Sequence, residues 1–238
     1  MRSLFIYAYA IIQILGSTFD LKKVRRLPKD ISIDERNERT FQTPSRVSRN
    51  VIEKAGVNVH VTGQEKVPAG PVLFVGNHQG LFDILVLLGY LGKPLGFIAK
   101  HEIKKLPIIP KWMELIHCVF IDRTDRRGAI QVINKGIENL EQGQSMVIFP
   151  EGTRSKGQAL HPFKSGSLRL GTKAKVPIVP IAIEGTYKIM EQNNGRIKAA
   201  EVYVQICDPI YPDQYENIKN TVLAEEIQAA VDTALKNM

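Results

Sequence analysis

The sequence predicts a layered α/β domain whose sheet is largely parallel or mixed. Short apolar strand-like segments alternate with helical segments, which is the pattern of such folds. The 238 residues suffice for a sizeable core, and contents of 44% hydrophobic and 24% charged residues are ordinary for a globular protein. Polar residues follow several predicted strands directly, so we expect a site at one edge of the sheet.

Apolar runs and alternation predict the strands. Residues 57–61 alternate like a half-buried strand, and the other strands read as short apolar runs. Pro177 and Pro180 favour an edge or irregular position for the strand that contains them, because proline cannot donate to a β-ladder. The apolar runs are residues 72–75, 95–99, 119–122, 146–149, 176–183 and 202–206.

Apolar residues at helical spacing predict helices between the strands. Residues 84–91 form an apolar helix, and residues 130–140 present one apolar face before Gly143 ends the helix. Two more helices are predicted at residues 165–175 and 221–236. Together with the strands they make up a domain of residues 57–238.

The segment before this domain is basic and starts with an apolar run. Residues 1–54 hold eleven Lys and Arg and six acids, a surplus of five within a formal net charge of +8. Residues 4–19 would form a helix of ~24 Å, shorter than the ~30 Å hydrocarbon core of a bilayer. Four cations follow at Lys22, Lys23, Arg25 and Arg26, where they would meet lipid phosphates. We therefore predict a helical membrane anchor in residues 1–56, lying in one leaflet on the cytoplasmic face of the cell membrane.

Other interpretations of this segment are a buried core helix and a signal peptide. The second is disfavoured because only Met1 and Arg2 precede the apolar run and no small-x-small cleavage site follows it. The charge surplus would also suit nucleic acid, but an aromatic content of 7% offers few stacking platforms. We expect no nucleic-acid partner.

The cysteines and histidines indicate no metal site. Cys118 and Cys207 have neither a disulfide framework nor zinc-ligand spacing, so a reduced cytosolic setting is expected. Cys118 lies among apolar neighbours, which is typical of a small core residue.

The most informative motif is the segment His78-Gln79-Gly80-Leu81-Phe82-Asp83. It follows the 72–75 strand and precedes the 84–91 helix. If His78 precedes the helix and Asp83 lies in its first turns, the carboxylate reaches the imidazole, and Gly80 permits a tight turn between them. An imidazole held in this way can take a proton from a hydroxyl near neutral pH. No serine or cysteine nucleophile stands beside the pair, so the hydroxyl can belong to a substrate.

A second cluster, residues 149–155 (Phe-Pro-Glu-Gly-Thr-Arg-Ser), follows another predicted strand. Its backbone, hydroxyls and Arg154 suit a phosphate group. Lys100 and Arg123 follow two further strands, so one edge of the sheet would collect an acid–base pair and several cations. A structural alternative is that Arg123 and Arg154 form surface ion pairs.

In this order, residues 78–83, 120–123, 149–155 and 176–181 resemble the four sequence blocks of the glycerolipid acyltransferases. Within that family the chain is most similar to the 1-acyl-sn-glycerol-3-phosphate (lysophosphatidic acid) acyltransferases, over about residues 74–183. One departure is Gly80, where many relatives carry serine.

The resemblance implies a role for each block. His78 would be the general base for the acceptor's sn-2 hydroxyl and Asp83 would orient it, without an acyl-enzyme intermediate. The remaining implied residues are a phosphate-binding set, Lys100, Arg123, Glu151, Gly152, Thr153 and Arg154, and an acyl or acceptor pocket, Val176, Pro177, Ile178, Val179 and Pro180. The resemblance implies no metal or cofactor; the co-substrate would be acyl-CoA or an acylated acyl carrier protein, and the product phosphatidic acid.

Two alternatives stay open from the residues. The same chemistry could serve another acceptor, such as glycerol 3-phosphate, a lyso-ornithine lipid or lysocardiolipin. A non-catalytic, basic membrane- or nucleic-acid-binding module is disfavoured by the intact 149–155 block and by the apolar start.

Overall fold

The computed structural model describes residues 1–122 and 126–238. The helices among them are α1 (Arg2–Gly16), α2 (Thr18–Val24), α3 (Ile33–Lys54), α4 (Phe82–Tyr90), α5 (Ile109–Leu115), α6 (Arg126–Glu141), α7 (Arg169–Ala174), α8 (Pro212–Tyr215) and α9 (Asn220–Lys236). The strands are β1 (Val57–Thr62), β2 (Leu73–Gly76), β3 (Leu95–Lys100), β4 (Val119–Ile121), β5 (Ser145–Ile148), β6 (Ile178–Glu184) and β7 (Ala200–Ile206).

The strands form one sheet in the order β1-β7-β6-β2-β5-β3-β4. The pairs are parallel except for β6 and β7, which are antiparallel. The carboxyl ends of β6, β2, β5, β3 and β4 therefore meet at one edge, as the positions of the motifs required. The predicted α/β class with a mixed sheet is confirmed.

Helices cover both faces of the sheet because its central strands are apolar on both sides. Along β2, Phe74 packs into the cluster that contains α3 and α4, whereas Leu73 and Val75 pack into the cluster that contains α6, α7 and α9. This alternation follows the two-residue period of a strand. The result is a three-layer domain with a core on each side of the sheet.

The strand predicted to contain the two prolines is not an edge strand, so the edge alternative of that prediction is wrong. β6 lies between β7 and β2, and Pro177 precedes it. Pro180 stands just before the ladder with β7, which starts at Ile181, and its carbonyl accepts a hydrogen bond from the Cys207 N–H (2.9 Å). A proline is tolerated here because the β7 ladder has not yet begun.

The amino-terminal helical run is longer than predicted. α1 and α2 follow each other over Arg2–Val24, which would extend ~35 Å. By length and composition this run could cross a membrane, with a mean hydropathy of 1.5. Only 17% of it is buried, so it is not a buried core helix. The run continues past residue 19 because Lys22 and Lys23 are good helix formers on an exposed surface.

One side of this run is docked on the domain. The Tyr7 hydroxyl donates to the Gly195 carbonyl (2.7 Å), and the indole N–H of Trp112 donates to the Ser17 hydroxyl (2.9 Å). The side chain of Ile6 in α1 is fully buried in the core cluster of the domain. The opposite side carries large exposed apolar residues, namely Leu4, Phe5, Ile11, Ile12, Leu15 and Phe19. The run thus has one face for the protein and one apolar face that the described residues leave uncovered.

The chain passes from helix to strand near the predicted domain boundary. α3 ends at Lys54 and β1 begins at Val57. However, Phe41 and Ile52 of α3 belong to the same core cluster as the sheet. The division into residues 1–56 and 57–238 stays a prediction, and the uncovered apolar surface lies on α1 and α2.

Candidate active site

His78 and Asp83 lie side by side at the carboxyl end of β2. The chain leaves β2 at Gly76, turns, and enters α4 at Phe82, so Asp83 is in the first helical turn. The His78 Nδ1 is 2.6 Å from Asp83 Oδ2. This contact selects the tautomer with the proton on Nδ1, which leaves Nε2 as a proton acceptor. Among the described residues Nε2 has no hydrogen-bond partner, and the His78 side chain is 15% exposed.

The Asp83 carboxylate is fully buried and fully hydrogen-bonded. Its Oδ2 also accepts from the backbone N–H groups of Gln79 (2.7 Å) and Gly80 (3.0 Å), and its Oδ1 accepts from the Thr186 hydroxyl. A buried charge is costly unless donors compensate it, and here four donors do so. The carboxylate is therefore held as a fixed partner of the imidazole.

The segment of residues 149–155 holds His78 from the other side. The Phe149 ring stacks on the imidazole with a centroid distance of 4.2 Å and an interplanar angle of 11°. The buried Glu151 accepts from the His78 N–H through Oε1 (2.6 Å) and from the His161 N–H through Oε2 (3.0 Å). Both carboxylate oxygens of Glu151 thus bind backbone groups, which fixes the turn that carries His78.

Backbone hydrogen bonds join the two motifs into one unit. The Ser155 N–H donates to the His78 carbonyl (2.8 Å), and the Lys156 N–H donates to the Gln79 carbonyl (3.1 Å). β2 and β5, which deliver the motifs, are neighbours in the sheet. Two segments some seventy residues apart in sequence therefore form a single site.

The predicted phosphate-binding residues of the 149–155 segment differ in exposure. Arg154 is 43% exposed, and its Nη1 lies 3.7 Å from Oε1 of Glu191. Thr153 is exposed, and Gly152 has a φ of 72°, a value that favours glycine. These three residues form the open side of the loop, whereas Glu151 forms its buried side.

The other two predicted cations lie further along the edge or outside the described residues. Lys100 is exposed at the end of β3, which is separated from β2 by β5 and therefore by about 10 Å. Arg123 lies outside the described residues.

Lys164 is a cation near the site that the sequence did not indicate. Its backbone N–H donates to the Pro150 carbonyl (3.1 Å), which folds the following loop back onto the site. Its Nζ lies so close to Gly152 that a Cβ there would be 2.6 Å from it. No spacing marks Lys164, since the return of this loop depends on contacts between the backbone of residues 161–164 and distant groups.

The predicted acyl or acceptor pocket at residues 176–180 lies within the core. Val176, Ile178, Val179 and Pro180 are buried, and Pro177 is partly buried. Ile178 packs on one face of the sheet and Val179 on the other. In this structure the segment supports β2 from the side, and its part in a ligand pocket stays a prediction.

Three residues at or beside the turn of residues 78–81 were given no role by sequence reasoning. The Gln79 amide donates to Glu184 Oε2 (2.7 Å) and accepts from the Gly185 N–H (2.9 Å). Thr186 binds Asp83, and Glu191 accepts from the Leu81 N–H (2.8 Å). Thr186 and Glu191 come from the connection between β6 and β7, which has no motif of its own. Only the adjacency of β6 and β2 could have indicated them.

The fold and the site together define an acyltransferase: the acyltransferase family model matches residues 58–184, and the chain belongs to that family. It is 31% identical over 186 residues to a 1-acyl-sn-glycerol-3-phosphate acyltransferase of Saccharomyces cerevisiae, a match that covers 77% of this chain and 61% of that protein. It is also 31% identical over 229 residues to a probable enzyme of the same name from Mycoplasma pneumoniae, covering 91% of this chain and 84% of that one. The chain thus spans less than two thirds of the yeast relative.

A solved structure extends the likeness to the whole chain. The crystal structure of the 1-acyl-sn-glycerophosphate (LPA) acyltransferase PlsC from Thermotoga maritima matches with a TM-score of 0.85 at 25% identity, covering 100% of this chain and 97% of that chain. The predicted family and fold class are therefore confirmed. The relatives are named for reactions on a lipid substrate, and α1 and α2 form an exposed apolar helical run. Together these two observations indicate membrane association.

Proposed function

We propose that this chain transfers a fatty acyl group from an acyl thioester to the sn-2 hydroxyl of 1-acyl-sn-glycerol 3-phosphate, which gives phosphatidic acid for phospholipid synthesis. The observation that carries the proposal is the His78–Asp83 pair with an unpartnered Nε2. Among the described residues no serine, threonine or cysteine is hydrogen-bonded to the His78 ring. An activated base without an enzyme nucleophile suits direct transfer to a substrate hydroxyl.

In the proposed reaction, His78 Nε2 takes the proton from the acceptor hydroxyl as its oxygen attacks the thioester carbonyl. Asp83 stabilises the imidazolium that forms. When the tetrahedral intermediate collapses, the carbon–sulfur bond breaks and the thiolate leaves. The imidazolium then returns its proton to that thiolate, so the base is regenerated and no acyl-enzyme forms. The donor is acyl-CoA or an acylated acyl carrier protein, and no metal or cofactor takes part.

The acceptor's phosphate would be held at the open side of the 149–155 loop. Arg154 is partly exposed beside the His78 turn, and Lys164 lies against Gly152 of the same loop. Lys100 and Arg123 follow neighbouring strands and would approach from the same edge. Cations that hold the phosphate position the hydroxyl near the base, which lowers the barrier of the reaction.

The chain would work at the cytoplasmic surface of the cell membrane. The exposed apolar face of α1 and α2 suits the acyl region of one leaflet, and the following cations suit anionic headgroups. A helix that spans the bilayer is surrounded by lipid or by other membrane segments. Here Tyr7 and Ser17 bind the domain instead, which supports a helix lying in one leaflet.

Turnover by the purified full chain tests this proposal. Thiol release would be measured on vesicles that contain anionic lipid, with acyl-CoA or acylated carrier protein as donor. The acceptors would be lysophosphatidate, glycerol 3-phosphate, lysocardiolipin and a lyso-ornithine lipid. We expect the fastest turnover with lysophosphatidate, and its loss in His78→Ala with the fold retained.

Other outcomes would overturn parts of the proposal. Faster turnover with another acceptor would replace lysophosphatidate. Turnover that survives His78→Ala would refute the mechanism. Vesicle binding without turnover on any acceptor would indicate a non-catalytic membrane-binding module.

A further inference from the structure

Glu191 lies at the active site although it is outside the matched acyltransferase region. It belongs to the connection between β6 and β7, beyond residues 58–184. Its side chain is 5% exposed, and its Oε1 accepts from the Leu81 N–H (2.8 Å) just before α4. The same oxygen is 3.7 Å from Arg154 Nη1. Its Oε2 is buried and has no hydrogen-bond partner among the described residues.

Glu191 completes a series of carboxylates that bind the turn of residues 78–81, which carries His78 and is called the catalytic turn below. The N–H of His78 donates to Glu151, those of Gln79 and Gly80 donate to Asp83, and that of Leu81 donates to Glu191. Four consecutive backbone donors thus each have a carboxylate acceptor. The turn cannot shift without leaving at least one buried charge uncompensated, which is costly.

The Glu191 carboxylate also accounts for the glycine at position 80. A Cβ on Gly80 would lie 2.5 Å from Oε2 and 2.8 Å from Cδ of Glu191. Gly80 does not have a positive φ, so its backbone conformation is open to other residues. The backbone conformation of the turn therefore does not require glycine here; a Cβ would instead displace the Glu191 carboxylate, which occupies that space.

We infer that Glu191 is a positioning residue of the acyl-transfer site, which aims Arg154 at the acceptor's phosphate and secures the turn that carries His78. The inference rests on the proposed phosphate role of Arg154. A buried carboxylate beside a half-exposed guanidinium restricts the directions in which the arginine can point. An arginine held in this way loses less conformational freedom when the phosphate binds.

The connection that carries Glu191 is itself held at its far end by α1. The Tyr7 hydroxyl donates to the Gly195 carbonyl (2.7 Å), and the Ile197 N–H donates to the Ser3 hydroxyl (2.9 Å). Glu191 thus sits on a segment that is fixed both at the catalytic turn and at the amino-terminal helix. This fixation explains how a loop residue can act as a firm support.

The charge of Glu191 is tested with Glu191→Gln, which keeps an oxygen for the Leu81 N–H and removes the ion pair with Arg154. We expect the KM for lysophosphatidate to rise roughly fivefold to tenfold, with kcat within about twofold of wild type. Glu225→Gln on the exposed surface of α9 is the matched control and should change neither parameter. An unchanged KM would overturn the inference. A lower KM would also overturn it, because Glu191 would then compete with the phosphate for Arg154.

The steric part is tested by a double-mutant cycle between positions 80 and 191. Gly80→Ala alone should lower kcat/KM about threefold to tenfold, since the Cβ displaces the Glu191 carboxylate from the Leu81 N–H. In the Glu191→Ala background the same substitution should lower kcat/KM by less than about twofold. Gly166→Ala is the matched control, because a Cβ there meets no atom within 4 Å.

Equal losses of kcat/KM on Gly80→Ala in both backgrounds would refute the coupling between positions 80 and 191. If Gly80→Ala fails to fold, recovery of folding in the double variant supports the coupling, and failure in both refutes it.

Arg154→Ala, measured in parallel, separates failure of this inference from failure of the proposed phosphate site. A higher KM in Arg154→Ala with no effect of Glu191→Gln would refute only the role of Glu191. An unchanged KM in Arg154→Ala would remove the arginine from the phosphate site, and the role of Glu191 would fall with it.

Discussion

The Thr186 hydroxyl donates a hydrogen bond to Oδ1 of Asp83, a residue 103 positions earlier in the chain. Asp83 Oδ2 is shared by the His78 ring and two backbone N–H groups, so Thr186 supplies the donor for the other oxygen. The orientation of the His78 imidazole therefore depends on a threonine that follows β6.

Replacing Thr186 with valine should lower kcat about tenfold while leaving the KM for the acceptor unchanged. The substitution nearly preserves the volume of the side chain but leaves a buried carboxylate oxygen unpaired, which allows Asp83 to shift. Steady-state rates of thiol release would measure the effect. Thr186→Ser keeps the hydroxyl and should restore most of kcat. Equal losses in the valine and serine variants would indicate a packing role instead.

Asp83→Asn should abolish most of the activity while the fold is retained. An asparagine amide carries no charge to stabilise the imidazolium, but its oxygen can still accept from the Gln79 N–H and its NH₂ group can donate to the Thr186 hydroxyl. We expect kcat to fall by about 10² to 10⁴, the usual contribution of a general base. Rates and thermal unfolding midpoints would be measured together. Near-normal kcat would show that the carboxylate does not support His78.

Vesicle binding should depend on the exposed apolar face of the amino-terminal helices. Phe5 and Phe19 are 58% and 70% exposed, so changing both to aspartate should lower the partition into anionic vesicles at least about tenfold. The double variant Ile130→Asp/Val222→Asp is a matched control, since it introduces the same two charges at exposed apolar positions of α6 and α9. Emission of Trp112, the only tryptophan, would verify that α2 stays docked. An unchanged partition would contradict the anchor.

The two cysteines should react slowly and in a fixed order. Burial raises the pKa of Cys118 to about 12, and its sulfur also accepts a hydrogen bond from the Phe97 N–H (3.3 Å). Burial raises the pKa of Cys207 as well. Because the thiolate is the reactive form, alkylation at pH 8 should modify Cys207 first and leave Cys118 largely intact. Mass spectrometry would follow the reaction, with Cys207→Ser isolating Cys118. Rapid labelling of Cys118 in folded protein would contradict the raised pKa of its thiol.

Several features of the fold and site could be predicted because their signals are local. Apolar runs and helical spacing predicted the strands and most helices. The segments of residues 78–83 and 149–155 were both found just after a strand, as expected. The five-residue spacing of His78 and Asp83 was enough to expect their contact once a helix began between them. The length of the amino-terminal helical run was underestimated, since apolar content was used to end a helix that exposed lysines can continue.

Other features depend on contacts between distant segments. The position of β6 inside the sheet, the return of Lys164 to the 149–155 loop, and the approach of Thr186 to Asp83 follow from strand order and loop path. No period in the sequence reports these, and Pro180 argued against the position that β6 has. Lys100 was correctly predicted at the end of a strand. Its distance from His78 could not be predicted, because the strand order places β5 between β3 and β2.

The α/β class, the acyltransferase family and the contact between His78 and Asp83 could all be predicted from the sequence, because periodicity and short motifs lie in neighbouring residues. The groups that surround the pair could not, because they come from distant segments that meet only in the folded chain. Gly80 is the clearest example: in the sequence it suggests a flexible turn, whereas in the fold it makes room for Glu191. A residue 110 positions beyond Leu81 reaches the turn because β6 lies beside β2, and only the folded sheet establishes that adjacency.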